Sequence, residues 1–255
     1  MSEAGNIARR TKPAKLPDGT SQKRARRDSA NGTDIRLPRD RRDQILSIAS
    51  KRFAEFGYEA TTIRQIADDA KILSGSIYHH FDTKDDILDE IIRTPSFLMG
   101  SRSCGVATCG ADPETKLVAL ILLQLEGLTT NSEAYGVLWN ERRFLRKHAH
   151  FDYVLKNKAD IHNSWTDVLR DGVELGYFRP KIDPFLTIST TIRILNASAE
   201  WFMRDGNFNR SEIRQYSFDE VIDFNLDFIL RSIRDDSKIS APIPRLAAEN
   251  LLGEI

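Results

Sequence analysis

The stretch TTIRQIADDAKILSGSIYHHF, residues 61–81, constrains the fold of this chain more than any other. It holds two short helical patterns about three residues apart. In the first, Ile63, Ile66, Ala67 and Ala70 fall at helical spacing, and Thr61 or Thr62 stands where a cap is needed. The second is SGSIYHHF. A longer pattern precedes the pair. In RDRRDQILSIASKRFAEFGY, Ile45, Ile48, Ala49, Phe53 and Phe56 recur at helical spacing, and Gly57 ends the helix. A further helix opens in DTKDDILDEIIR, with Asp82 or Thr83 as its cap and acids in the first turn, where the helix dipole favours them. A long helix, two short ones and a fourth match a helix–turn–helix unit. In such a unit the second short helix enters the major groove and its N-terminal residues meet base edges. The first short helix and the flanking helix ends hold phosphates.

Beyond this unit the chain stays helical. MGSRSCGVATCGAD reads as a loose stretch. Asp112-Pro113 and Asp183-Pro184 each give a cap followed by proline at the first helical position. Ser217 with Glu220 makes a capping box before VIDFNLDFILRSI, and Gly176 closes a long helix that starts near His150. No alternating run is long enough for a strand. The expected fold is all-α with about nine helices. Residues 1–39 read as a disordered basic tail, 40–93 as the helix–turn–helix domain, 94–236 as a second helical domain and 237–255 as a C-terminal tail with an amphipathic turn or two.

Charge bears on the partner. The whole chain balances 37 basic against 37 acidic residues, so an affinity for nucleic acid must be local. Residues 40–93 hold eight basic and eleven acidic residues, a net charge of −3. Residues 1–39 hold ten basic and four acidic residues, a net charge of +6, densest at KRARR. The tail is either a solvated flexible segment or a basic arm that supplies salt-dependent contact with phosphates. The longest apolar run, LVALILLQL, is too short for a bilayer, which takes about 20 residues. The N-terminus has no apolar signal core. The two cysteines, Cys104 and Cys109, have neither redox nor zinc spacing and read as loop thiols. A soluble cytoplasmic protein is expected.

The segment FAEFGYEATTIRQIADDAKILSGSIYHHFDTKDDIL resembles the DNA-binding domain of the TetR family of bacterial repressors. The resemblance implies an all-α homodimer that binds double-stranded operator DNA, with a C-terminal half that takes a small-molecule effector. Effector binding spreads the two heads and releases the operator. Carried over by position, Thr62 contacts phosphate and Arg64 reaches a phosphate or a base. Ser74, Gly75 and Ser76 start the reading helix, with Gly75 letting the backbone approach DNA. Tyr78 and His79 fall on the sugar–phosphate backbone, Lys84 faces phosphate, and Arg41 joins this DNA-binding set. Phe81 belongs to the core, and His80 turns toward the domain as a packing or capping residue. Two positions depart from the family pattern. Lys71 stands where a glycine is usual, which costs roughly 1 kcal/mol if its φ is positive. Leu73 stands where Ser or Thr caps the reading helix, and leucine accepts no hydrogen bond. Ser74 is then the candidate cap, one residue late.

In the second domain, Trp139, Arg142 and Arg143 cluster with Glu141 and Arg146, His162 and Trp165 lie at i, i+3, and Arg193 and Asn196 share a face with Glu200 and Trp201. A buried arginine needs an anionic partner. Either Glu141 or Glu200 serves, or the acid or phosphate of a ligand does. NKADIHNSWTDVLRDGVELGYFRP, with KILSGSIYHHF, looks like an actinobacterial subgroup of the family, repressors of sterol-ring breakdown that sense acyl-CoA thioesters. That resemblance implies a large effector, apolar at one end and polyanionic at the other. Val221, Phe224, Asn225, Phe228 and Ile229, with Ser232, form a stripe expected at the dimer interface.

Two rival readings remain. One is a DNA binder without ligand control. The other is a metal-dependent enzyme using His148-x-His150 with Glu141, or His79-His80 with Asp82. Helical metal sites space ligands at i, i+3 or i, i+4, whereas adjacent histidines diverge by about 100°. No phosphate loop, nucleophile elbow or HExxH is present. No catalytic residue, metal or cofactor is expected.

Overall fold

Helix α1, Asp40–Phe56, buries Ile45, Ala49 and Phe53 and stops at Gly57, whose φ is +88°. Two short helices follow, α2 Ile63–Asp69 and α3 Ser74–Ile77. Helices this short are unstable alone, since isolated ones need about 12–15 residues. They are held from inside. Ile66, Ala67, Ile77 and Phe81 pack with the α1 residues and with Ile87, Leu88 and Ile92 of α4 in one core. Helix α4, Lys84–Thr108, starts at a capping box between Thr83 and Asp86. This computed structural model describes residues 40–203, 216–238 and 240–255, so the tail over residues 1–39 lies outside the described residues.

The rest of the chain is α5 Pro113–Thr130, α6 Ser132–Asn140, α7 Arg142–Leu145, α8 Asp152–Glu174, α9 Pro184–Met203, α10 Phe218–Ile233 and α11 Arg245–Glu254, with short 3-10 turns at Ala149–Phe151 and Asp236–Lys238. The all-α expectation holds, with no strand among the described residues beyond one isolated bridge, Phe178 to Arg234. A second core gathers around α5, which is buried along most of its length, and takes in Trp165, Val168, Leu169 and Phe178.

Two expectations about the chain path are corrected. The loose stretch after Met99 is helical through Thr108, so α4 runs across the expected boundary at residue 93, and Cys104 lies on a helix rather than a loop. Its glycines and serines read as loop composition, but they form a close-packing face instead. Ser96 and Ser103 are buried, a Cβ on Gly100 would stand 3.6 Å from Asn157 Cβ, and Asn157 Nδ2 donates to Ser96 Oγ at 3.0 Å. The C-terminal segment is likewise more than a tail. Helix α11 packs on α5 through Ala248. It is pinned by Arg245, which donates to Asp219, Asp223 and Glu249, and by Arg102, which donates to the Leu252 carbonyl at 3.1 Å.

Candidate DNA-reading head and ligand cavity

The two short helices begin differently. Thr62 caps α2: its hydroxyl accepts from Gln65 N–H at 3.2 Å, and Gln65 Oε1 accepts from Thr62 N–H at 2.8 Å. Leu73 sits at the cap position of α3 with extended backbone and no side-chain cap bond, and Ser74 is the first helical residue rather than a late cap. Lys71 between them has φ +55°, the left-handed region where a side chain costs roughly 1 kcal/mol.

The positions expected to meet DNA are open to solvent with few exceptions. Thr62, Arg64, Gly75, Tyr78 and His79 are exposed, and Ser74 and Ser76 are half-buried. Nothing lies within 4 Å of a Cβ built on Gly75. Arg41 is exposed but engaged, donating to Gln44 Oε1 at 2.9 Å and to the Ala70 carbonyl at 3.3 Å. Two residues stand otherwise than expected. Lys84 turns inward: its Nζ donates to the carbonyls of Tyr58 at 2.9 Å and Thr61 at 2.8 Å and lies over the Tyr58 ring. Burial lowers its pKa, against the pull of Asp85, Glu59 and Glu141. His80 is exposed, not packed, because α3 ends at Ile77 and the following turn carries His80 outward while Phe81 takes the core position.

A cavity of about 780 Å³ lies between α1, α4, α5, α6, α7, α8 and α9, within the roughly 300–1,000 Å³ typical of small-molecule sites. Its apolar lining comes from Met99, Leu128, Leu138, Leu145, Leu155 and Ile192. Four cations, Lys51, Arg142, Arg146 and Lys158, and two acids, Glu55 and Glu133, also line it. Gln124 and Asn196 pair within it, Nε2 to Oδ1, at 3.1 Å. Tyr135 also lines it, its hydroxyl pKa pushed up chiefly by burial. Gly127 makes room for that ring, since a Cβ there would meet Tyr135 Oη at 2.7 Å.

Of the residues expected to bind a ligand, Trp139, Arg142 and Asn196 line this cavity. Arg143 and Arg193 are exposed and do not line it. His162 packs edge-on to Phe185, and Trp165 is buried in the α5 core. The side chains of Glu200 and Trp201 lie outside the described residues. Among the described residues, the arginine buried with an acid is Arg234, which donates to Glu114 at 2.6 and 3.0 Å. Glu141 instead accepts from the Tyr58 N–H.

Lys51, Glu55 and Lys158 carried no sequence signal, since only tertiary packing brings them to one space. Gln124 did, as a lone polar residue inside LVALILLQL. The stripe on α10 also divides. Val221, Asn225 and Ile229 are buried within this chain, so they are not the dimer surface expected of them. Helical rotation leaves Phe224 and Phe228 outward, 67% and 52% exposed, with their rings stacked. No group of three potential metal ligands occurs among the described residues, and no helix there is long and apolar enough to cross a membrane.

Comparison with known proteins agrees with this architecture. Residues 45–91 match the family described as bacterial regulatory proteins, tetR family, and residues 110–224 match the tetracyclin repressor-like C-terminal domain. The HTH-type transcriptional repressor KstR2 of Mycobacterium tuberculosis is 32% identical over 175 residues, covering 69% of this chain and 88% of that protein. KstR2 of Rhodococcus jostii is 32% identical over 183 residues, covering 72% and 90%. The solved structure of the ketosteroid transcriptional regulator KstR2 of M. tuberculosis superposes with TM-score 0.67 at 30% identity, over 79% of this chain and 98% of that one. The chain therefore belongs to the TetR family of bacterial DNA-binding transcriptional regulators and is not an enzyme.

Proposed function

We propose that this regulator is a repressor released from its operator by a small molecule that fills the cavity between α1 and α9. The observation that carries the reading is the cavity's make-up: an apolar lining beside four cations, with α1 of the DNA-reading head in its wall. Such a space matches an effector with an apolar body and an anionic end, and a CoA thioester of a sterol-derived or fatty acid has both. The likeness to the solved ketosteroid transcriptional regulator supports a steroid-derived apolar body.

DNA contact falls to Arg41, Thr62, Arg64, Ser74, Gly75, Ser76, Tyr78 and His79. Lys84 acts from inside, holding the turn before α2. The protein works as a cytoplasmic homodimer through Phe224 and Phe228, joined by the exposed Phe185 and Leu186 of α9. The basic N-terminal tail adds salt-dependent affinity, so deleting residues 1–38 flattens the slope of log K against log salt.

The deciding experiment is a thermal-shift screen of acyl-CoA esters, with free CoA and the free acids as controls. Each hit is then added to the complex with DNA selected by the protein from a random pool. A thioester that raises Tm and releases the DNA supports the reading. DNA binding indifferent to every binder supports the alternative, a DNA-binding protein without ligand control.

A further inference from the structure

The cavity and the DNA-reading head meet at one carboxylate. Glu141 stands at the junction of α6 and α7, in a segment whose Leu138, Trp139, Asn140, Arg142 and Leu145 line the cavity. Its Oε1 accepts from the Tyr58 N–H at 2.8 Å, joining positions 83 residues apart. The turn after α1 is shaped around it. Gly57 adopts φ +88°, and a Cβ there would stand 3.3 Å from Glu141 Oε1. Glycine suits the turn by its left-handed backbone, and a side chain there would also press on the carboxylate by a few tenths of an ångström.

From Tyr58 the bonds continue into the head. The Tyr58 and Thr61 carbonyls both accept from Lys84 Nζ, and the Tyr58 hydroxyl donates to Asp85. Lys84 and Asp85 are the first two residues of α4, and Thr62 caps α2. Burial and the Asp85 bond push the Tyr58 hydroxyl pKa far up, so it stays a donor. The Glu141 carboxylate, the Gly57–Thr62 turn and the starts of α2 and α4 form one connected set.

We propose that Glu141 is the positioning residue that carries the state of the cavity to the DNA-reading head. A molecule that shifts α6 and α7 moves Oε1, and a hydrogen bond weakens steeply as its length and angle depart from ideal. Loss of that bond frees the turn that sets α2 against α4. The coupling then equals the difference in ligand affinity between the held and released arrangements. This inference rests on the reading that an effector fills the cavity.

The test uses the full-length protein, Glu141→Ala and Glu141→Gln, palmitoyl-CoA as the probe and a pool-selected operator. Amide exchange over residues 57–62, thioester Kd, and operator Kd with and without thioester are measured. Glu141→Ala is expected to keep thioester Kd within about threefold. Its 57–62 amides exchange about tenfold faster, and the ratio of the two operator Kd values falls about tenfold, the scale of one charge-assisted hydrogen bond. Glu141→Gln keeps an acceptor oxygen and most of the ratio. If the wild-type protein responds to the thioester and Glu141→Ala keeps the same ratio, the proposal is overturned. If the wild-type protein does not respond, control by this ligand class fails, and exchange and operator affinity without ligand decide the positioning role. Unchanged values in Glu141→Ala overturn it; faster exchange with a weakened operator complex supports it.

Discussion

Helix α2 enters through a complete capping box, whereas α3 enters from an uncapped leucine after a lysine in the left-handed region. The two are neighbours of similar shortness, yet their stability has different sources. α2 satisfies its first N–H groups locally, through Thr62 and Gln65. α3 has no such support and depends on Ile77 and Phe81 in the head core. A four-residue reading helix with no side-chain cap depends on this burial more than its neighbour does.

That contrast can be broken experimentally. Ile77→Ala has the largest expected effect, a loss of about 2–5 kcal/mol in urea unfolding. Amide protection should vanish in α3 while α2 keeps its own; simultaneous loss in both would make the pair one unit. Tyr78→Phe comes next. It should leave Tm unchanged and weaken operator and unrelated duplex alike, by about 1–2 kcal/mol in anisotropy titrations, if the exposed hydroxyl bonds phosphate. A change of preference among operators would instead assign Tyr78 to base reading. Thr62→Ala should cost about 1 kcal/mol of stability, the value of one cap. Leu73→Ser should gain up to about 1 kcal/mol. Leu73 already has the extended backbone of a cap and is 80% exposed, so its removal sacrifices little burial. No gain would mean that α3 takes nothing from a local cap.

Most of the head was legible in the sequence because its signals are local. Thr62 and Thr83 in the head, like Asp112 and Ser217 beyond it, are caps within three residues of the N–H groups they satisfy. Lys71 was legible too, since a left-handed position in a tight turn is a property of a few residues. The misreadings came where composition stood in for packing. The Ser/Gly face of α4 read as loop because small residues serve loops and close helix contacts equally. For Lys84 the family resemblance implies a phosphate contact, but resemblance fixes only where the side chain starts, and in the fold its Nζ donates to the Tyr58 and Thr61 carbonyls. The stripe of α10 was correct as an apolar period, but the side of the helix that faces outward is set by α9 and α5.

The sequence by itself determined an all-α chain, the helix–turn–helix head, the capped starts of several helices and the weak start of the reading helix. Each depends on side chains acting within a turn or two of their own backbone. Only the tertiary structure decided the cavity, the pair Arg234 with Glu114 and the bond from Tyr58 to Glu141. These join residues 120 and 83 positions apart. Such partners are chosen by how the helices pack, and the spacing of residues along the chain carries no record of that choice.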